Sequence, residues 1–333
     1  MYSKMIITRT PFRISFFGGG TDYPVWYKKN GGAVLSTTIN HYGYITCRFS
    51  PPFFKHKYRV SYSKIEEVSH HNQIDHPSVR ESLKFLNFNK NLSITYDTDL
   101  PARSGLGSSS SFTVGLLNAL YGLRGESKTK EQLAMDAIHV EQNLIGENVG
   151  SQDQTAAAFG GLNKIEFGGA NELTVIPIIL EQKRSKNLQD HLLMFFTGYA
   201  RTASEIAAEQ IRLTPKKDTE LHAMRQMVDE AVNILHRKKE NLDDFGKLLH
   251  QSWQLKRSLS SKISNPAIDE IYALGIKAGA IGGKLLGAGG GGFMLFFAPP
   301  ERHKKIIEKL NNFLCVPVNM EYTGSQRIYH SDF

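Results

Sequence analysis

The stretch PARSGLGSSSSFTVGLLNALYG, residues 101–122, constrains this chain more than any other. Glycine- and serine-rich backbone gives way abruptly to an apolar run in which Phe112, Leu116, Leu117 and Leu120 share one helical face. Just upstream, NLSITYDTDL alternates Leu92, Ile94 and Tyr96 in the manner of a half-buried strand. The order is strand, Gly/Ser loop, helix. A helix N-terminus leaves N–H donors unpaired and its dipole favours negative charge, while glycines let backbone approach an anion without Cβ clashes. The loop therefore reads as an anion cradle, with a flexible turn as the plain alternative. Ser108, Ser109, Ser110 and Ser111 add hydroxyl donors, or one of them ligates the magnesium that accompanies a nucleoside triphosphate. The Gly-x-x-x-x-Gly-Lys-Ser/Thr pattern of a Walker A loop is absent.

The rest of the chain supplies an alternating α/β frame for this loop. Its 333 residues are 41% hydrophobic, enough for two domains or one large one. MIITRTPFRISFF and GAVLSTTINHYGYITCRFS predict an early sheet. A helix over 129–145 opens with Thr129 and Gln132 as a capping box, and further helices are predicted at about 202–212, 217–239 and 242–258. A Gly-rich segment, the strand FMLFFA, the helix PERHKKIIEKLNNFL and a last strand close the chain. The boundary between two α/β units is expected within 165–190, giving an ATP-binding N-terminal unit over 1–180 and a C-terminal unit over 181–333.

Charge and composition exclude several classes. The formal charge is +8, but the basic residues are scattered, with short clusters at 236–239 and 302–305 that read as solvated helix faces. No basic groove interleaved with aromatics and no reading motif points to nucleic acid. A small anionic substrate fits the charge equally well. No apolar run of membrane-spanning length occurs and the N-terminus lacks signal-peptide organisation, so no membrane partner and a cytoplasmic location are expected. Cys47 and Cys315 stand far apart without CxxC spacing and read as ordinary buried thiols.

Three further signals bear on chemistry. GAGGGG, Gly287–Gly292, formally matches G-x-G-x-x-G, but it runs into a strand and Asn312 occupies the place of the ribose-binding acid, so a dinucleotide fold is not supported. It reads as a second loop, with Gly289 and Gly290, for bound anion or substrate, or as a tight turn into a buried strand. Glu141 falls on the apolar face of its predicted helix, beside Ala137, Ile138 and Leu144. A carboxylate there needs a metal ion or a basic partner. Asp153, in GENVGSQDQTAAAFGG, is flanked by small residues that leave ligand access; a helix N-cap is its alternative.

Together TPFRISFFGGGTDY, PARSGLGSSSSF and KLLGAGGGGFMLFF resemble the three ordered motifs of the GHMP kinases, the superfamily of galactokinase, homoserine kinase, mevalonate kinase and phosphomevalonate kinase. Glu141 and Asp153 follow the central motif at the separation that superfamily uses. RTPFRISFFGGGTDYPVW, TGYARTASEIAAEQ and LHQSWQLKRSLSSKIS are similar to the bacterial D-glycero-D-manno-heptose 7-phosphate kinases.

The resemblance implies an α+β, two-domain fold, ribosomal-S5-domain-2-like at the N-terminus and ferredoxin-like at the C-terminus, with ATP and sugar meeting in the cleft. It implies that Gly105, Leu106, Gly107, Ser108, Ser109 and Ser110 wrap the ATP phosphates and that Ser109 and Glu141 hold Mg2+. Asp153 would face the attacking hydroxyl, Arg13 would stabilise Asp153 and the transferring phosphoryl group, and Asp22 would bind sugar hydroxyls. Galactokinases carry Gly-Glu-His-Thr-Asp where this chain has GGGTD; Gly19 and Gly20 remove two polar sugar contacts, which argues against galactose and leaves room for a larger substrate.

The implied reaction is ATP-dependent phosphorylation of the anomeric hydroxyl of a heptose 7-phosphate, in nucleotide-activated heptose biosynthesis for surface polysaccharide. The alternatives are another sugar 1-kinase of fucokinase type and a catalytically silent sugar-binding regulator; retention of Asp153, Glu141 and the loop serines favours the enzyme. A 7-phosphate needs an anion site apart from the Gly/Ser loop, and Arg201, just before a predicted helix N-terminus, is the expected residue. Its alternative is a surface pairing with Glu205 or Glu209. The oligomeric state is left open.

Overall fold

The computed structural model describes residues 4–169, 172–198, 203–237 and 241–331. The strands are β1 (Met5–Phe17), β2 (Gly32–Phe49), β3 (Tyr58–Ser61), β4 (Ile65–Val68), β5 (Leu92–Thr98), β6 (Leu162–Phe167), β7 (Leu173–Pro177), β8 (Leu192–Phe196), β9 (Gly282–Leu285), β10 (Phe293–Phe297), β11 (Leu314–Val316), β12 (Met320–Glu321) and β13 (Gln326–Ser331). The α-helices are α1 (Pro24–Asn30), α2 (Pro77–Phe85), α3 (Ser108–Leu123), α4 (Lys130–His139), α5 (Gln152–Phe159), α6 (Gln182–Asp190), α7 (Ala203–Leu213), α8 (Asp218–His236), α9 (Asp243–Ser258), α10 (Pro266–Ala278) and α11 (Pro300–Lys309).

Two sheets result, and the α+β class holds. The first runs β13-β1-β2-β5-β3-β4, with β6 and β12 also on β2 and β7 on β6; the second is β11-β8-β10-β9, antiparallel throughout. The change of sheet falls between β7 and β8. One departure concerns the far end: β12 and β13 return to pair with β2 and β1, so the last residues of the expected 181–333 unit complete the first sheet.

The two halves of β1 meet different surroundings. Met5–Pro11 largely alternates, whereas Phe12–Phe17 is buried throughout. Between them the register slips at Pro11/Phe12, a place where proline's missing N–H leaves no ladder bond to lose. Phe16 and Phe17 then meet Phe245 of α9 edge-on at 5.5 and 5.1 Å, and the same cluster takes in Leu286, Phe293 and Phe297. Each such buried aromatic or aliphatic side chain stabilises by about 1.5–3 kcal/mol, so the two sheets share a core. Arg13 lies inside this buried half strand and must find its partners there.

Two helices differ from expectation. α3 was predicted with one buried face; it is buried around nearly its whole circumference because it runs between the first sheet and α2, α4 and α5. The 129–145 helix is α-helical only to His139. Val140–Ile145 forms a π-helical turn carrying Glu141, the kind of local rewinding that gathers at functional sites. Thr129 Oγ1 accepts the Gln132 N–H as expected, but the Gln132 side chain reaches Asp136 instead of closing a capping box. Cys47 is buried, whereas Cys315 is only partly so.

Candidate active site

A cavity of about 290 Å3 lies where the C-terminal end of β1, the start of α3, the start of α5 and the loop after β9 converge. Two larger clefts, about 660 and 700 Å3, lack the Gly/Ser loop, so chemistry and not volume selects the site.

The loop forms one wall. Gly107 caps α3 with φ +74°, a left-handed conformation that a side chain would resist, and a Cβ there would lie 3.3 Å from both Asp153 Oδ2 and Arg13 Cγ. Gly105, Gly107, Ser108, Ser109 and Ser110 line the cavity. Leu106 does not: it is buried in the core and its carbonyl accepts the Arg13 N–H at 3.0 Å, which sutures the loop to β1. The third motif braces the loop from behind, because a Cβ on Gly105 would fall 2.3 Å from the Leu286 carbonyl and one on Gly287 2.6 Å from the Gly105 Cα. Gly287 and Ala288 reach the cavity, whereas Gly289 and Gly290 pack against Ile263.

Asp153 and Arg13 form the centre. Arg13 Nε and Nη2 donate to Asp153 Oδ1 and Oδ2, both at 2.8 Å, and Nη1 donates to the Gly105 carbonyl at 2.6 Å. Arg13 is almost wholly buried, while the Asp153 side chain stays 25% exposed and faces the cavity. The capping alternative fails for Asp153, which lies in the first turn of α5 after Ser151 at the N-cap. Asp22 lines the same cavity. Its Oδ1 accepts the Gly20 N–H at 2.8 Å, and the Gly150 Cα packs on its Oδ2. Burial pushes the Asp22 carboxyl up, the Gly20 amide opposes this, and the neighbouring Asp153 charge reinforces it. Gly19 leaves open space beside it, whereas Gly20, contrary to expectation, is a packing glycine: a Cβ there would run into Gln210 Nε2 at 2.5 Å.

Glu141 is fully buried behind the loop. Ser110 Oγ donates to its Oε2 at 2.9 Å and Gln154 Nε2 donates to the same oxygen. Oε1 has no hydrogen-bond partner, and no basic residue among those described pairs with the carboxylate. Burial pushes Glu141 up to about 7 and the Glu147 charge adds to it, against the hydroxyls of Thr113 and Ser110 and the Gln154 amide. An orphaned carboxylate oxygen under a phosphate-type loop fits a hard divalent cation, which commonly takes one or two carboxylates and completes its shell with phosphate and water. No group of three or more His, Cys, Asp or Glu is placed to hold a metal among the described residues, so the protein offers one anchor and not a cage. Ser109 is exposed on the loop; the serine brought to Glu141 is Ser110. Arg201 lies outside the described residues.

Three cations were missed. Arg103 lines the cavity just before the loop with φ +59°. Lys256 is buried, donating to the Gly19 carbonyl at 3.2 Å and Gln210 Oε1 at 2.8 Å; Lys284 is buried, donating to the Phe16 carbonyl at 2.9 Å. Burial pulls Lys256 down to about 8 and Lys284 down to about 7. The signal for Lys256 was its place on the Leu249–Trp253 face of α9. No described helix is long and apolar enough to cross a membrane.

Comparison with known proteins gives a consistent picture. Residues 78–161 match the family described as GHMP kinases N terminal domain, and 230–314 match GHMP kinases C terminal. D-glycero-alpha-D-manno-heptose 7-phosphate kinase of Campylobacter jejuni is 32% identical over 92% of this chain and 93% of its own length. A crystal structure described as a putative sugar kinase from Campylobacter jejuni superposes with TM-score 0.75 at 28% identity, covering 97% of this chain and 98% of that one. A D-glycero-D-manno-heptose 1-phosphate kinase from Bacteroides thetaiotaomicron, at 23% identity, shares the fold with TM-score 0.76 over 97% and 99% of the two chains.

Proposed function

The chain belongs to the GHMP kinases and is a sugar kinase, and from that premise we propose that it transfers the γ-phosphoryl group of ATP to the anomeric hydroxyl of D-glycero-D-manno-heptose 7-phosphate, giving the 1,7-bisphosphate. The observation that carries the reading is the Arg13–Asp153 pair, fixed beside the amide-lined N-terminus of α3 in the wall of one small cavity.

In this reading the N–H groups of the Gly105–Ser110 loop and the α3 dipole hold the nucleotide phosphates. The sugar lies against Asp22, with Gly19 giving it room. Asp153 takes the hydrogen bond of the anomeric hydroxyl; because Arg13 grips both carboxylate oxygens, its orientation is set before substrate arrives. An O1–Pγ bond forms as the bond from Pγ to the bridging oxygen breaks, ADP leaves, and the hydroxyl proton passes to Asp153. An anomeric hydroxyl is more acidic than an ordinary alcohol, so positioning and charge neutralisation carry most of the demand. Mg2+, held by Glu141 with Ser110 or Ser109, would neutralise phosphate charge when bound.

The experiment is a kinase assay with ATP, magnesium and a panel of sugars and sugar phosphates, the product read by phosphorus NMR. A new anomeric phosphate on the heptose 7-phosphate is expected. Turnover of fucose in preference to the heptose phosphate overturns the substrate; no turnover of any sugar, with binding retained, makes the chain a regulator.

A further inference from the structure

We propose that Lys256 and Lys284 form a second anion subsite, which takes the phosphate monoester already carried by the sugar. This rests on the reading of the substrate as a sugar phosphate.

Of the cations that line the cavity, Arg103 is exposed just before the nucleotide loop. Arg13 is committed to Asp153 and Gly105, and the α3 N-terminus serves the nucleotide. Lys256 and Lys284 enter the same cavity from α9 and β9, on the side of Gly19 and Gly20. They are 6% and 5% exposed, and the one carboxylate whose charge acts on either of them among the described residues is Asp22, itself engaged by the Gly20 amide. An ammonium group has three donors. Lys256 uses two and Lys284 one, all on neutral acceptors, which leaves three N–H bonds unspent.

Two buried lysines that share one carboxylate carry their full charge at a cost unless an anion arrives. Sugar hydroxyls do not offset that charge; a phosphate dianion does. Consistent with this, Lys256 and Arg13 add to the burial that pulls Lys284 down. Ser15 Oγ, buried, without a hydrogen-bond partner and lining the same cavity beside Gly19, is a further donor. The absence of a side chain at Gly19, which lines the cavity, leaves the space beside Ser15 clear.

The test uses the full chain and the variants Lys256→Met and Lys284→Met. With the nucleotide loop saturated by a non-hydrolysable ATP analogue and magnesium, inorganic phosphate is titrated calorimetrically. Wild type is expected to bind it and each variant to lose roughly tenfold or more in affinity, as expected for one charge-assisted contact. In steady state, KM for the heptose 7-phosphate should rise by a similar factor with KM for ATP unchanged, and the preference for phosphorylated over unphosphorylated heptose should shrink. An arginine at either position should restore part of the loss. A fall in kcat or a rise in KM for ATP at unchanged sugar KM would assign the lysines to the transferring phosphoryl group and overturn the subsite, as would unaltered phosphate binding. Phosphate binding lost in the variants of a chain that turns over no sugar phosphate would uphold the subsite and refute the substrate.

Discussion

Arg13 holds Asp153 by both carboxylate oxygens at 2.8 Å and, through its third nitrogen, holds the Gly105 carbonyl of the phosphate-type loop. One buried guanidinium thus ties the carboxylate proposed to meet the hydroxyl to the backbone proposed to meet the phosphates. Asp153→Asn keeps the shape and one acceptor but removes the charge. Its kcat should fall about 10²–10⁴-fold, the range of a lost general base, while nucleotide affinity measured by direct binding stays close to wild type. A variant that retained most of its kcat would show that the hydroxyl is aligned elsewhere.

Glu141 meets Ser110 and Gln154 through one oxygen and leaves the other without a partner. Glu141→Gln preserves volume and removes the charge a cation would seek. The magnesium concentration for half-maximal activity should rise at least about tenfold, since even outer-shell partners of metal sites are worth that much. Circular dichroism should report an unchanged fold. If the magnesium dependence did not move, Glu141 would be a structural carboxyl beneath the loop.

Gly150 packs its Cα against the carboxylate of Asp22, and an added Cβ would fall 1.8 Å from Oδ2. Gly150→Ala must therefore displace Asp22 or the Val149–Ser151 backbone. Overpacking of this kind costs about 1–3 kcal/mol, to be read from denaturant unfolding. KM for the sugar should rise with it, and KM for ATP should not. Wild-type sugar KM in the variant would remove Asp22 from the substrate side of the cavity.

Local pattern carried much of this, and its reach stopped where contacts became distant. The limits of β1, Met5–Phe17, followed from its β-branched and aromatic run, and the Gly/Ser loop at the start of α3 from backbone chemistry. Glu141 stood out on an apolar face, but the π-helical turn beneath it did not, because one extra residue per turn leaves no mark on a short periodic pattern. The Arg13–Asp153 contact spans 140 residues of sequence and was reachable only through family resemblance. One last strand was expected where β11, β12 and β13 stand, and nothing local said which sheet each would join. Lys256 could have been found on the Trp253 face; Lys284, between Gly283 and Leu285 in a four-residue strand, offered no periodicity at all.

Lys284 also makes a prediction about stability in the absence of ligands. It is pulled from 10.5 down to about 7 by burial, then by the charges of Lys256 and Arg13, with Asp22 opposing. An unfolded chain keeps this lysine protonated up to 10.5, whereas the folded chain releases the proton near 7. Between those values the unfolded state binds more protons, so the contribution of Lys284 to stability grows as pH rises and is lost as pH falls through that window. Below about 7 the folded protein carries an unfavourable buried charge. Lys284→Met removes the charge while filling the same space, so the variant should melt above wild type at the acid end, and the difference should shrink as pH climbs from 7 towards 10.5. Subtracting the two melting curves cancels the other titrating groups to first order. A difference that stayed constant across the window would mean that Lys284 bears the same charge folded and unfolded.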